Sequence, residues 1–130
     1  MKTSRFQILT TFLALVLMTG GGCYYDAVIP QGGSTVEGDV FFSADVIPIF
    51  EKNCSLSGCH ASGGQQPDLS TANAYSSLIN GNLVNTASPE ESGLYRWMAG
   101  LESLPMPPSG SDPTNTAIVL AWIQQGALNN

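Results

Sequence analysis

The chain has 130 residues, of which 43% are hydrophobic, and its formal net charge is −6. Because Lys2 and Arg5 precede an early apolar run, the part of the chain after that run keeps only Lys52 and Arg96 against all ten acidic residues, a formal charge of −8. This balance argues against nucleic-acid binding and against electrostatic docking to anionic lipid. The length allows one small domain, and small exported domains often need disulfides, a metal or a cofactor for stability.

Residues 1–22 are predicted to be a signal peptide of the lipoprotein type. The basic residues are followed by the apolar run Phe6–Met18, which is too short for a stable membrane span, and then by Gly20-Gly21-Gly22. Cys23 comes next, and Gly21-Gly22-Cys23 resembles the end of a lipobox, which predicts lipidation at Cys23. The alternatives are an ordinary signal peptide cut nearby or a cysteine paired elsewhere.

Residues 23–40 are interpreted as the lipidated cysteine and a flexible tether, and residues 41–130 as the domain. The stretch YYDAVIPQGGSTVEGDV contains three glycines and one proline and shows no sustained periodicity, although a poorly ordered N-terminal arm would look the same. We therefore expect the domain on the periplasmic or cell-surface side of a bacterial membrane. Tyr24 after Cys23 favours the outer membrane.

The first predicted helix runs from Ala44 to Asn53 behind a Ser43 cap. One side of it carries Val46, Ile47 and Phe50.

This helix leads into a motif with two cysteines and a histidine, Cys54-Ser55-Leu56-Ser57-Gly58-Cys59-His60. Covalent haem attachment needs two thiols for the two vinyl groups and an imidazole directly after the second thiol, as the iron ligand. His60 is the only histidine of the chain. A Cys54–Cys59 disulfide with a surface His60 is one alternative. A zinc site is another, and it would need a carboxylate or water to complete it.

The motif resembles the haem-attachment site of c-type cytochromes, with a spacer of four residues where two is commonest. The resemblance implies one haem c, attached covalently through Cys54 and Cys59, with His60 as axial ligand. Gly58 permits a positive φ in the approach to Cys59.

Pro67 and Leu69, in Gln66-Pro67-Asp68-Leu69, resemble the Pro-x-Leu that follows the haem motif in class I cytochromes. In that family the proline carbonyl accepts the Nδ1 proton of the proximal histidine, and the leucine lines the haem face. An ordinary turn before a helix is the alternative interpretation.

Two further helices are predicted next. The second helix, Thr71–Asn80, ends at Gly81, and its apolar face carries Tyr75, Leu78 and Ile79. The third helix runs to Gly100 and contains Gly93, and its predicted start is the capping box Ser88-Pro89-Glu90-Glu91.

Met106 lies in the proline-rich stretch Leu104–Pro108, which resembles the Met-Pro-Pro loop of small monohaem cytochromes. The resemblance implies that its sulfur is the sixth ligand of the iron, giving the His/Met pair that favours electron transfer. Met98 is the competitor, but Leu94, Met98 and Leu101 have the spacing of a buried helix face, so Met98 is predicted to be core or pocket wall.

The last predicted helix starts at Asp112-Pro113, continues to about Gln125 and stops at Gly126. Phe50 and Trp122 are expected where the first and last helices cross. No segment alternates with period two, so the predicted fold class is all-α.

The resemblance extends over Phe42–Leu128 and is closest to small cytochrome c modules of planctomycetes and Bacteroidetes. It implies a cytochrome c-like bundle of about four short helices around one haem. The implied function is single-electron transfer by a monomeric, membrane-tethered carrier that is not an enzyme, whose partners are redox proteins with a basic docking surface. Arg96, Trp97 and Tyr75 are candidates for contacts with the haem propionates.

Two other functions stay open on the residues alone. One is a haem enzyme, such as a peroxidase or reductase subunit, with an open sixth position. The other is a non-haem binding lipoprotein held by a disulfide between Cys54 and Cys59.

Overall fold

The computed structural model describes residues 36–130, and within them the regular structure is helical, with no β-strand. The predictions for the signal peptide, for Cys23 and for most of the tether lie outside the described residues. In chain order the elements are a π-helical turn Phe42–Val46, α1 Ile47–Asn53, α2 Ala74–Asn80, a 3-10 turn Pro89–Glu91, α3 Gly93–Met98 and α4 Pro113–Gln124. None of the helices in this part of the chain is long and apolar enough to cross a membrane.

The first helical segment begins earlier than predicted, because Phe42 is buried at its start. The π-helical turn opens at Phe42, so Ser43 lies inside the helix and is not its cap. At the start of this segment the backbone N–H of Phe41 is satisfied by the Asp45 carboxylate, to which it donates a hydrogen bond at 2.7 Å.

The second helix begins three residues later than predicted. Residues 70–73 form turns, and the Ser70 carbonyl accepts hydrogen bonds from the backbone N–H groups of Asn73 and Ala74. Ala74 and Leu78 form its buried face, whereas Ile79 is 39% exposed, so the prediction that Ile79 belongs to this face is wrong.

The predicted third helix is broken at Ser92. Pro89–Glu91 makes a short 3-10 turn, Ser92 is extended, and α3 starts at Gly93. No side-chain cap bond forms at Ser88, so the predicted capping box is absent. Gly93 is therefore the first residue of a helix, and a Cβ there would lie 3.3 Å from the end of the Leu83 side chain, a close contact to which that side chain can adjust.

The last helix matches its prediction. The Asp112 carboxylate accepts hydrogen bonds from the N–H groups of Thr114 at 2.9 Å and Asn115 at 3.1 Å. Beyond the helix, Gly126 has a positive φ of 98°.

An aromatic cluster centred on Phe42 joins the first helical segment to α4. The Phe42 ring lies 4.9 Å from Trp122, 5.4 Å from Tyr75 and 6.3 Å from Phe50, measured between centroids. Phe50 and Trp122 are both buried near the crossing, as predicted, and Phe42 is the ring that contacts both.

The two ends of the described chain are bonded together. Gln125 accepts a hydrogen bond from the Val40 N–H at 2.8 Å and donates one to the Gly38 carbonyl at 3.0 Å. Asn130 accepts from the N–H groups of Phe42 and Ser43. Residues 38–40, the end of the predicted tether, therefore pack with the domain.

Candidate functional site

The Cys54–His60 segment is a compact loop at the C-terminal end of α1. The Cys54 N–H donates to the Phe50 carbonyl at 2.8 Å, so helical bonding reaches the first cysteine. The His60 N–H then donates to the Cys54 carbonyl at 3.1 Å, and the Cys59 N–H donates to Leu56 at 2.9 Å. The four-residue spacer thus folds back on itself and brings His60 beside Cys54.

Two glycines give this loop its path. Gly58 has a positive φ of 80° in the approach to Cys59, a conformation that glycine was predicted to permit there. At Gly64 a Cβ would overlap the Cys59 carbonyl oxygen, so the chain can pass this close to the second cysteine only with glycine. The Cys59 carbonyl accepts a hydrogen bond from the Gln65 N–H at 2.7 Å, which closes the following turn.

His60 is oriented by the Pro67 carbonyl. Its Nδ1 lies 2.9 Å from the Pro67 oxygen, the hydrogen bond expected from the resemblance. Because a carbonyl oxygen only accepts, Nδ1 carries the proton in this contact, and Nε2 of the neutral ring is then the nitrogen with a lone pair. The Leu69 N–H donates to the His60 carbonyl at 2.7 Å, and Leu69 itself is buried. The half-buried imidazole is therefore held in a tautomer able to bind a metal through Nε2.

Cys54 and Cys59 are free thiols in this structure. Cys54 is half-buried and Cys59 is exposed. Burial, together with the nearby Cys59, raises the pKa of Cys54 to about 11, so its thiol is protonated at neutral pH.

A cleft of about 110 Å³ lies beside Cys54 and holds both methionines of the domain. Met106 and Met98 line it together with Cys54, Ile49, Asn53, Pro107, Ser109, Gly110, Asp112, Asn115 and Thr116. Met98 is 5% exposed, as predicted for a residue of the core or the pocket wall, whereas Met106 is half-buried. The sequence did not predict that α4 would form part of the cleft wall, because Asn115 and Thr116 belong to no haem-specific pattern. The only signal was their spacing of three and four residues from Asp112, which places all three on one side of the helix.

Met106 is attached to the end of α3 by its backbone. Its N–H donates to the Trp97 carbonyl at 3.1 Å. Met98 is held in α3 itself, and its carbonyl accepts a hydrogen bond from the Thr116 hydroxyl at 3.3 Å. The two thioethers thus reach one cleft from different segments, a loop and a helix.

The six predicted site residues form two groups joined at Cys54. Cys59, His60, Pro67 and Leu69 are linked by the hydrogen bonds of the loop and of its following turn, and Met106 shares the cleft with Cys54. Two of the candidate propionate contacts have other partners, since the Tyr75 hydroxyl donates to the Ala127 carbonyl at 3.2 Å and Arg96 pairs with Glu102.

The residues present fit a covalently attached haem in their chemistry. Two free thiols, an imidazole with an available Nε2 and a thioether are the donor set that such a group takes. The cleft that holds the thioether has both polar and apolar side chains in its wall, and His60 is not one of its lining residues. The cleft is smaller than the roughly 300 to 1,000 Å³ of ordinary ligand pockets, so a large group would lie partly outside it. Among the described residues, no group of three His, Cys, Asp or Glu side chains that could hold a metal ion comes together.

Comparison of the chain with models of known protein families, with curated proteins and with solved structures finds no match.

Proposed function

We propose that this chain is a small c-type cytochrome with a cytochrome c-like helical fold, tethered to a membrane by lipid on Cys23, that transfers single electrons outside the cytoplasm. The observation that carries the proposal is the hydrogen bond from His60 Nδ1 to the Pro67 carbonyl, directly after a cysteine. A surface histidine beside a disulfide has no need of this contact, whereas a metal-binding imidazole gains its tautomer and its orientation from it.

Each residue has a distinct part in the proposed carrier. Cys54 and Cys59 would hold the haem through thioether bonds, and His60 Nε2 and the Met106 sulfur would be the two ligands of its iron. When bound, the haem supplies the one-electron couple. Leu69 and Met98 are buried, and in the proposed carrier they would help to keep water from the haem. The protein therefore needs no acid, base or nucleophile of its own, and we propose no enzymatic activity.

The acidic charge of the domain suits a redox partner with basic residues around its own cofactor. Such opposite charges would speed encounter more than they would strengthen the complex, and a transient complex suits a carrier that must release its partner. A fall in the electron-transfer rate with rising salt would support this expectation.

The experiment expresses the full chain with a cytochrome c maturation system and compares the wild type with Met106→Leu and Met98→Leu. A haem stain on a denaturing gel reports covalent attachment, and the oxidised visible spectrum reports a methionine-to-iron charge-transfer band. We expect this band in the wild type and in Met98→Leu, and its loss in Met106→Leu. Each variant loses one thioether from the same cleft, so the difference between their spectra identifies the ligand.

Other outcomes would replace the proposal. Covalent haem without the band, with rapid carbon monoxide binding after reduction, would indicate an enzyme with an open sixth position. An absence of covalent haem would reject the cytochrome. If reductant then released two thiols from Cys54 and Cys59, a disulfide-bonded lipoprotein would be indicated, because thioether-linked cysteines stay blocked.

A further inference from the structure

The loop between α3 and Met106 has little apolar anchoring of its own. Leu101 is 57% exposed and Leu104 is 65% exposed, so neither leucine holds the loop against the core. Its backbone contacts with α3 are at its two ends, where the N–H groups of Leu101 and Met106 donate to the carbonyls of Arg96 and Trp97. Polar contacts therefore decide how firmly the loop is held.

An ion pair between side chains joins this loop to α3. Arg96 Nε lies 2.7 Å from Glu102 Oε1, and the two side chains are 35% and 34% exposed. Arg96 is on α3 next to Trp97, whose carbonyl accepts the Met106 N–H, and Glu102 is in the middle of the loop. A short, charge-assisted bond of this kind, partly shielded from water, restrains the loop more than an exposed pair would.

We propose that Arg96 and Glu102 are positioning residues for Met106. Their ion pair holds the loop against the last turn of α3. It thereby maintains the hydrogen bond from the Met106 N–H to the Trp97 carbonyl and keeps the Met106 side chain in the cleft. When the pair opens, the loop can move away and Met106 can leave its position. The part of this inference that concerns iron ligation rests on the proposed function, whereas the restraint on the Met106 segment does not.

Glu91 offers a matched control. Its Oε2 lies 4.0 Å from Arg96 Nη1, and its side chain is 70% exposed. Glu91 belongs to the 3-10 turn before α3 and not to the loop. Glu91→Gln and Glu102→Gln therefore remove the same charge from the surroundings of Arg96, but only Glu102→Gln weakens a bond between α3 and the loop, because the neutral amide oxygen is a poorer acceptor than the carboxylate.

The first test is amide hydrogen exchange of Met106 in the full protein, measured by NMR. We expect Glu102→Gln to raise its exchange rate about two- to fivefold, and Glu91→Gln to leave it within error of the wild type. The Ala127 N–H, bonded to the Trp122 carbonyl away from this loop, serves as the reference amide, and its exchange should not change in either variant. Equal Met106 exchange in Glu102→Gln and in the wild type would overturn the proposal, whether or not the protein holds haem.

The second test uses imidazole as a competitor for the iron in the oxidised, haem-loaded protein. We expect Glu102→Gln to bind imidazole about two- to fivefold more tightly, with Glu91→Gln unchanged. High salt should strengthen imidazole binding to the wild type and have less effect on Glu102→Gln, because salt screens the pair that the variant lacks. Unchanged imidazole affinity in Glu102→Gln would overturn the role in ligation, and failure of the proposed function would appear separately, as missing covalent haem.

Discussion

The aromatic cluster allows a sharp comparison between two neighbouring phenylalanines. Phe42 is 3% exposed and contacts three other aromatic rings, whereas Phe41 is 47% exposed. Truncation of a buried phenylalanine to alanine costs about 3–5 kcal/mol, because the apolar contacts are lost and a cavity remains. Substitution at an exposed position usually changes the free energy of unfolding by less than about 0.5 kcal/mol. We therefore expect Phe42→Ala to lower the free energy of unfolding by about 3–5 kcal/mol and Phe41→Ala to lower it far less.

A loss of that size is a large part of the total stability, since a domain of this length has roughly 5–14 kcal/mol. Phe42→Leu keeps most of the buried volume and should cost about 1–2 kcal/mol, which keeps the measurement possible if Phe42→Ala does not fold. Urea denaturation followed by far-UV circular dichroism gives the midpoint and the slope for each variant. Equal midpoints for Phe42→Leu and Phe41→Leu would refute the reasoning that Phe42 joins the first helical segment to α4.

Three further substitutions test the loop and the helix start. Gly64→Ala should lower the free energy of unfolding by about 1–3 kcal/mol and reduce covalent haem loading, because the new methyl group displaces the Cys59 carbonyl; urea denaturation and a haem stain measure the two effects. Hydrogen bonds from Ser70 and Asn73 lower the pKa of Asp68 in the folded protein. The carboxylate therefore stabilises the fold at a pH above about 4, the pKa of an aspartate in the unfolded chain. This contribution is lost as the pH falls through the lower pKa of the folded protein. Asp68→Asn should therefore be less stable at pH 7 and lose less stability on acidification, as read from melting temperatures between pH 7 and pH 2. Asp112→Ala removes the α4 cap and should cost about 1 kcal/mol, as measured by urea denaturation.

Each of these three has a control or a contradicting result. Gly93→Ala places its methyl group 3.3 Å from the end of the Leu83 side chain and no nearer than 3.9 Å to the Leu83 backbone, so it should be much milder than Gly64→Ala. Parallel pH profiles for Asp68→Asn and the wild type would contradict the assigned role of the carboxylate. Asp112→Ser keeps a capping oxygen, so it should recover most of the loss, and a loss equal to that of alanine would exclude capping as the cause.

Features encoded by neighbouring residues could be predicted from the sequence. The start of α4 at Asp112-Pro113 and its stop near Gly126 depend on one cap and one positive φ, and both are where they were expected. The contact of His60 with Pro67 spans only seven residues, and it was expected from the resemblance to class I cytochromes. The capping box predicted from the residues at Ser88 was wrong. It would have needed one continuous helix, whereas the chain is extended at Ser92.

The sequence by itself determined the helical class, the thiol and imidazole chemistry of the Cys54–His60 loop, and the residue types of the candidate ligands, since these depend on residue identity and short spacing. Only the tertiary structure decided that Phe42 is the central ring of the core, that Met98 and Met106 share a cleft with Cys54, and that Arg96 pairs with Glu102. The physical reason is that burial and pairing depend on segments far apart in the chain, which meet only when the helices pack.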